Sequence, residues 1–302
     1  MYDAIIIGGG FAGLAAATQL GRARRKVLVL DTGKPRNRFA AHSHGFLTRD
    51  GAAPSELLAE ARRQLETYGT VELRNAEAIA ASGGLDNFTI ELATHEKLAA
   101  RRLILAHGVT DSVDTIPGLA ECWGKTALHC PYCHGFEVAD RPLGLLLREG
   151  DFLHLARFFS EWTGNLTLFA NGPPVDPTVR AALDDMQVKL VEAAVTRFDH
   201  QDGVLKSVVT TAGPVPLDAI FVHAPISFST DLGVQLGCET KPGAVGDFFL
   251  VDHFQQTSIP GIYAAGDAAR PMHSISFAVA DGAGAGAFTH QSLVATSAVP
   301  GK

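Results

Sequence analysis

Tyr2-Asp3-Ala4-Ile5-Ile6-Ile7-Gly8-Gly9-Gly10-Phe11-Ala12-Gly13 is the stretch that decides the fold of this chain. Its first half is a short apolar run of β-branched residues, the signature of a buried strand. Its second half is Gly-x-Gly-x-x-Gly opening an alanine-rich helix from Leu14 to Leu20. In that context each glycine has a mechanical role. Gly8 makes the tight turn, Gly10 lets a pyrophosphate reach backbone N–H groups at the helix N-terminus, and Gly13 lets helix and strand pack closely. Phe11 and Ala12 complete the loop. A second strand, Lys26 to Leu30, ends in Asp31, an acid suited to accept hydrogen bonds from a ribose diol and to repel a 2′-phosphate. The reading is a strand–helix–strand dinucleotide site.

Working outward, 302 residues are enough for two domains with separate cores. A hydrophobic content of 46% with 19% charged residues and 31 glycines fits a packed α/β chain and excludes disorder over most of its length. The net charge of −7 argues against general nucleic-acid affinity. The apolar run Ala4 to Gly21 is glycine-rich and lacks a basic start or cleavage region, so it is read as strand, turn and helix; no membrane association is expected. The four cysteines are too few for a disulfide-stapled secreted scaffold and suit a reducing compartment, with the cytoplasm the default.

His129-Cys130-Pro131-Tyr132-Cys133-His134 carries the second signal. Two cysteines three apart around a proline can close a small, easily reduced disulfide. Cys130-x-x-Cys133-His134 is also the haem c attachment pattern, and Cys-Pro-Tyr-Cys is what a glutaredoxin carries. Zinc would need four ligands, and the clustered His and Cys side chains are packed too tightly to converge easily. Haem attachment requires an exported chain. A redox pair is preferred, with Cys122 structural and Cys238 a bystander.

The fingerprint, the Cys-Pro-Tyr-Cys and a late Gly261-Ile262-Tyr263-Ala264-Ala265-Gly266-Asp267, preceded by Thr257-Ser258-Ile259-Pro260, together resemble a low-molecular-weight thioredoxin reductase over nearly the whole chain. The resemblance implies a homodimer, FAD as the first dinucleotide, and contacts from Gly266 and Asp267 to its ribityl and pyrophosphate. It places Cys133 against the flavin and Cys130 toward a thioredoxin-like substrate or a small dithiol or disulfide. His134 stands where many members have an Asp general acid, and a group titrating near neutrality can supply the proton a leaving sulfur needs. Arg36 and Asn37 fall in a turn-rich loop able to hold adenine and its phosphate, Ala78 matches a backbone contact to adenine, and His44 falls where the family passes the flavin ring. Ala106 and Gly108 belong to the strand-to-glycine segment after Leu105, with His107 where Thr is usual. Ser274 to Phe277, including Ile275 and Ser276, precede a glycine–alanine helix read from Ala278 to Phe288, whose N-terminus would face the flavin N1 and C2 carbonyl.

The expected architecture is α/β, with two Rossmann-like three-layer domains. A discontinuous FAD domain spans 1–115 and 245–302, and 116–244 forms a second nucleotide-binding-like domain carrying the Cys pair. That second domain keeps a strand (Arg141 to Leu147), a helix (Phe152 to Thr163) and a strand (Leu166 to Phe169). Its turn is Arg148-Glu149-Gly150-Asp151, with one glycine where three are needed and acids where a phosphate should sit. Ala170-Asn171-Gly172-Pro173-Pro174 lacks the arginines that would hold a 2′-phosphate. NADPH in the usual mode is therefore not expected, and a ferredoxin-type donor, docking on Arg22, Arg24, Arg25 and Lys26, takes its place. Glu121-Cys122-Trp123 and Gly135-Phe136-Glu137 are also similar to dithiol oxidases related to thioredoxin reductase, in which oxygen reoxidises the flavin. A non-enzymatic redox sensor is the third alternative.

Overall fold

The computed structural model describes residues 1–113, 116–147, 151–171 and 174–296. The chain forms two compact units, one of Met1–Arg38, Pro54–Thr110 and Ile226–Lys302, the other of Phe39–Ala53 and Asp111–Pro225. The first unit opens with β1 (Tyr2–Ile7), α1 (Phe11–Arg22), β2 (Val27–Asp31), α2 (Pro54–Leu65), β3 (Val71–Asn75), β4 (Ala78–Gly84), β5 (Asn87–Leu92), β6 (Lys97–Leu105) and β7 (Val109–Asp111). The second contains α3 (Leu119–Cys122), β8 (Ala127–Leu128), α4 (Pro131–His134), β9 (Leu143–Leu146), α5 (Phe152–Ser160), β10 (Leu166–Phe169), α6 (Pro177–Asp185), β11 (Lys189–Val191), β12 (Val195–Gln201), β13 (Val204–Thr210), β14 (Gly213–Pro216) and β15 (Ala219–Val222). The chain then returns through β16 (Ile226–Phe228), α7 (Leu232–Gln235), β17 (Thr240–Pro242), β18 (Asp247–Phe249), β19 (Ile262–Ala264) and α8 (Ile275–Thr296).

In the first unit a seven-stranded sheet runs β3-β2-β1-β6-β5-β4, with β19 also pairing β6. Its β1, β2, β3, β6 and β19 neighbours are parallel. Parallel strands covered on both faces read as continuous apolar runs, and Ala4 to Ile7 and Val27 to Leu30 are buried throughout. Alternate residues feed opposite cores. Ile5, Ile7, Leu28 and Leu30 face one, and Ala4, Ile6, Val27 and Val29 face the other with α1 and α8. The antiparallel β5 instead alternates buried and less buried positions, as a strand with one covered face should.

Helix α8 begins at Ile275, three residues earlier than the sequence suggests, and continues to Thr296. Ser274 is the reason for the early start, because its Oγ accepts the N–H of Phe277 at 3.1 Å. The helix can lie against α1 only because side chains are missing. A Cβ on Gly282 would sit 2.1 Å from the Ala12 carbonyl oxygen, and one on Gly286 2.5 Å from that of Ala16. Fully buried Arg102 ties the far end of α8 to β6, donating to Ser292 Oγ (2.8 Å), Thr296 Oγ1 (2.8 Å) and Asp86 (2.8 Å).

In the second unit a five-stranded parallel sheet runs β11-β10-β9-β15-β8, beside a three-stranded antiparallel sheet β12-β13-β14. Strands β9, β10 and β15 are buried along their whole length. The expected strand at Arg141 to Leu147 and helix at Phe152 to Thr163 are present but shorter. Two boundaries differ from expectation. The return to the first unit comes at Ile226, not near 245, because Phe228 stacks on Phe249 at 4.3 Å and α7 packs on β4. Residues Phe39–Ala53, expected in the first domain, belong to the second unit. The crossover at Thr115 lies outside the described residues.

Replacing Gly282 by Ala tests the helix contact. Helix propensity favours Ala by about 1 kcal/mol, but backbone atoms that cannot rotate away oppose it by about 3 kcal/mol. A net loss of about 2 kcal/mol is expected in urea unfolding; a stabilised variant would show that the two helices part easily.

Candidate active site

Proline at its first position starts α4, and Cys130, in extended backbone just before it, caps the turn by accepting the N–H groups of Cys133 and His134 at 3.2 Å each. The Cα atoms of Cys130 and Cys133 lie 5.3 Å apart and their sulfurs are bonded. Cys122 and Cys238 are free and buried, and burial pushes both thiols up. Gly135 is obligatory behind the pair, since a Cβ there would meet Trp162 Nε1 and the Pro131 carbonyl at 2.5 Å each. Tyr132, 72% exposed, rests edge-on against Phe158 and Trp162. Phe136 is 86% exposed. An apolar surface therefore flanks the disulfide.

His134 is half-buried, and burial pushes its imidazole below the usual range; Glu137 opposes that shift and His44 adds to it. His44 lies within this same unit, with Nε2 3.4 Å from Glu137 and Nδ1 3.6 Å from Asp50. Its ring stands perpendicular to that of His134, with centroids 6.3 Å apart. The resemblance places His44 near the flavin; its described neighbours are Glu137, Asp50 and His134, and the sequence reading gives the two carboxylates no role. The available signal was the spacing from His134 to Glu137. His129 stacks on Trp123 at 5.9 Å. Among the described residues, no group of three or more His, Cys, Asp or Glu side chains is placed to hold a metal ion.

In the first unit the fingerprint glycines separate into distinct environments. Gly8 has φ +105°, and a Cβ there would strike the Ala106 carbonyl oxygen at 2.3 Å. A Cβ on Gly13 would strike the Gly8 carbonyl oxygen at 1.9 Å. At Gly10 a Cβ would meet nothing within 4 Å, so this loop offers bare backbone to a ligand. Phe11 and Ala12 open α1. Asp31 ends β2 beside Gly9 and pairs with Arg62 at 2.8 Å, a partner the sequence reading did not identify. The late motif converges here, because a Cβ on Gly266 would touch that of Ala12 at 2.9 Å. Neighbouring Asp267 accepts from Arg36 Nη1 at 2.9 Å, and the same nitrogen lies 2.7 Å from His273 Nδ1. Asn37 follows in the same short 3-10 turn. Ala78 is buried at the start of β4 in the sheet core. Ile275 and Ser276 form the first turn of α8 instead of preceding it, with Ser276 exposed.

Ala106 and Gly108 bracket His107. The Gly108 carbonyl can only accept, so at 2.9 Å it fixes the proton on His107 Nδ1. Nε2 then offers a lone pair. That atom is sealed from solvent with no hydrogen-bond partner among the described residues, although the ring as a whole retains some exposure. Burial pushes the imidazole down to about 4.

The second unit's nucleotide turn falls partly outside the described residues, which omit Arg148, Glu149, Gly150, Gly172 and Pro173. Its described edge is occupied. Asp151 caps α5 by accepting the N–H of His154 at 2.9 Å. Asn171 Oδ1 accepts from Val195 N at 2.8 Å, and Glu192 accepts from Val175 N and pairs with Arg180. Asp151, Asn171 and Glu192 thus already have backbone partners along this edge.

Two compact α/β units, a glycine cradle and a Cys-x-x-Cys disulfide define a flavin-dependent disulfide oxidoreductase, and the comparisons agree. Residues 2–150 and 166–282 match the pyridine nucleotide-disulphide oxidoreductase family, and the chain belongs to it. It is 31% identical to thioredoxin reductase tcpT of Claviceps purpurea, over 98% of this chain and 95% of that protein. The structure of an oxidoreductase from Agrobacterium tumefaciens superposes with a TM-score of 0.92 at 40% identity, covering 98% of this chain and 99% of the other. That of HlmI superposes with a TM-score of 0.89 at 36% identity, covering 97% and 93%. Among the described residues no helix is long and apolar enough to cross a membrane.

Two outcomes test these assignments. Gly10→Val adds bulk only where no protein atom stands, so it is expected to leave unfolding of the apoprotein within about 1 kcal/mol of wild type. Flavin affinity should fall at least about tenfold, which corresponds to about 1.4 kcal/mol, read from retained flavin absorbance. His107 binds a proton less readily folded than unfolded, so stability present above about pH 6.5 is lost as pH falls toward about 4. The loss is on the order of 2 kcal/mol after allowing for partial exposure. His107→Thr should flatten that part of the pH–stability curve, and an unchanged curve would remove His107 as its source.

Proposed function

We propose that this protein passes electrons between FAD and the Cys130–Cys133 disulfide to reduce a thioredoxin-like protein substrate, drawing them from a donor other than NADPH, such as a ferredoxin. The observation that carries the reading is the bonded Cys130–Cys133 pair beside His134 in a member of this family, while Asp151, Asn171 and Glu192 occupy the described edge of the second nucleotide site. Gly8 to Gly13, Asp31, Arg36, Gly266 and Asp267 would hold the FAD. The open backbone at Gly10 and the Arg36–Asp267 pair suit its pyrophosphate and ribityl hydroxyls. Asn37, Ala78, Ala106, Gly108, Ile275 and Ser276 would complete the contacts. When bound, FAD supplies the two-electron chemistry that side chains lack.

The protein's own steps follow from thiol exchange. The Cys130 thiolate attacks one sulfur of the substrate disulfide, and the departing sulfur takes a proton from His134. Cys133 then attacks Cys130 Sγ, re-forming the Cys130–Cys133 bond and releasing the second substrate sulfur, which also takes a proton. The substrate gains two electrons and two protons, and the pair loses them. The two buried free thiols suit a reducing compartment such as the cytoplasm, and a homodimer is proposed from the family resemblance alone. Arg22, Arg24 and Lys26 are exposed and form the proposed ferredoxin dock, with Arg25 half-buried behind them.

One observation favours the reverse flow. Burial holds His134 low, so near neutrality it is a base ready to take a thiol proton, which is what a dithiol oxidase requires. Anaerobic titration of the flavin spectrum separates the cases. Bleaching by reduced ferredoxin, with none at catalytic speed by NADPH, is the expected result. Rapid bleaching by NADPH would overturn the donor assignment, and bleaching by a small dithiol followed by fast oxygen uptake would establish the oxidase.

A further inference from the structure

The loop that carries His44 is closed on itself. Ser43 N–H donates to the Ala52 carbonyl at 2.9 Å, Gly51 N–H to that of Ser43 at 2.8 Å, and Gly45 N–H to Asp50 Oδ1 at 2.8 Å. His42 Nδ1 lies 3.0 Å from the Gly51 carbonyl. This framework presents the His44 ring with a carboxylate at each nitrogen, Asp50 at Nδ1 and Glu137 at Nε2. Side-chain exposure rises from 21% at His44 to 39% at Glu137 and 72% at Asp50. The rings of His44 and His134 stand perpendicular with centroids 6.3 Å apart, a separation on the scale that a bridging water spans.

We propose that His44, bracketed by Glu137 and Asp50, is the positioning partner of His134 and the proton route between the Cys130–Cys133 pair and solvent. This rests on the thiol-exchange reading above. Each sulfur released as a thiolate needs one proton. His134 gives it and becomes neutral, then regains one from the His44 side, which refills from water at Asp50. No electrons move along this path. The titratable groups acting on His134 are Glu137 and His44, and the Cys pair precedes it at the cap and within α4; those facing His44 are Glu137, Asp50, His134 and, at 6.5 Å between rings, His42.

The arrangement makes a signed test. Glu137 raises the proton affinity of His134 and His44 lowers it. In the flavin-loaded protein, NMR titration of the imidazoles is expected to show the His134 midpoint moving up in His44→Gln and down in Glu137→Gln. Each shift should be about 0.5 unit, roughly a threefold change in proton affinity. In single-turnover exchange with dithiothreitol, the acid limb should move the same two ways. The rate constant should fall about tenfold at an unchanged half-saturating concentration, since proton delivery and not binding is affected. Midpoints that coincide with wild type, or that move together, would overturn the proposal. If His44→Gln fails to retain flavin, Glu137→Gln alone decides, because only the electrostatic role predicts a downward shift. A flavin-loaded protein whose Cys130–Cys133 pair is reduced neither by ferredoxin through the flavin nor by dithiothreitol would overturn the functional reading, while the imidazole titration is decided without turnover.

Discussion

The Ala12 backbone is the point at which the first unit can least tolerate change. Its carbonyl oxygen occupies the place a Cβ on Gly282 would take, its own Cβ touches the place for one on Gly266, and its neighbour Gly13 presses on the Gly8 carbonyl. Three segments remote in sequence therefore meet without intervening side chains. The nucleotide cradle is a consequence of that meeting. Removing side chains brings the α1 N-terminus, the β1 turn and the Gly266 turn together, and the bare backbone left at Gly10 is what a charged ligand can approach. Arg102 secures the other end of α8, so the helix is fixed by close contact at one end and by a buried guanidinium at the other.

Local pattern made much of this legible. The β1–α1–β2 segment, Asp31 and the Gly266-Asp267 turn are each written in consecutive residues, and each lies where its pattern requires. What could not be read was set by tertiary partners. Arg62 reaches Asp31 from another helix, Arg102 reaches residues at the end of α8, and Phe228 finds Phe249 across a loop. The 39–53 segment is the clearest case, because nothing within His42-Ser43-His44-Gly45 indicates that its ring will face Glu137. The early start of α8 was visible in principle, as Ser274 is an ordinary cap, but the run of glycine and alanine after it drew the boundary too late.

Electrostatics divide the second unit into two regions of different character. Around Asp151, Asn171 and Glu192, side-chain oxygens accept the N–H groups of His154, Val195 and Val175, and Glu192 also pairs with Arg180. Around Cys130 one side is aromatic, with Tyr132 and Phe136 exposed, while Glu137, Asp50 and His44 gather near His134. A thiolate formed there is poorly solvated on its apolar side. Its charge must be neutralised locally, and in the proposed mechanism that demand falls on the imidazole that follows the pair, His134.

Substituting His for the Asp common at that position alters how the demand is met. A carboxylic acid is almost wholly ionised near pH 7 unless burial raises it, so it holds few protons to give. An imidazole held below its usual range by burial is mostly neutral near pH 7, and it too needs a supply of protons when it serves as a donor. That requirement gives a physical meaning to the company His134 keeps. A second imidazole with carboxylates at both nitrogens, becoming more exposed toward Asp50, is the group proposed above to meet it. On the proposed reading, thiol exchange separates into an electron path through two sulfurs and a proton path through two rings; the close contact of Gly135 with Trp162 fixes the backbone behind the first, and the closed 42–52 loop presents the His44 ring of the second.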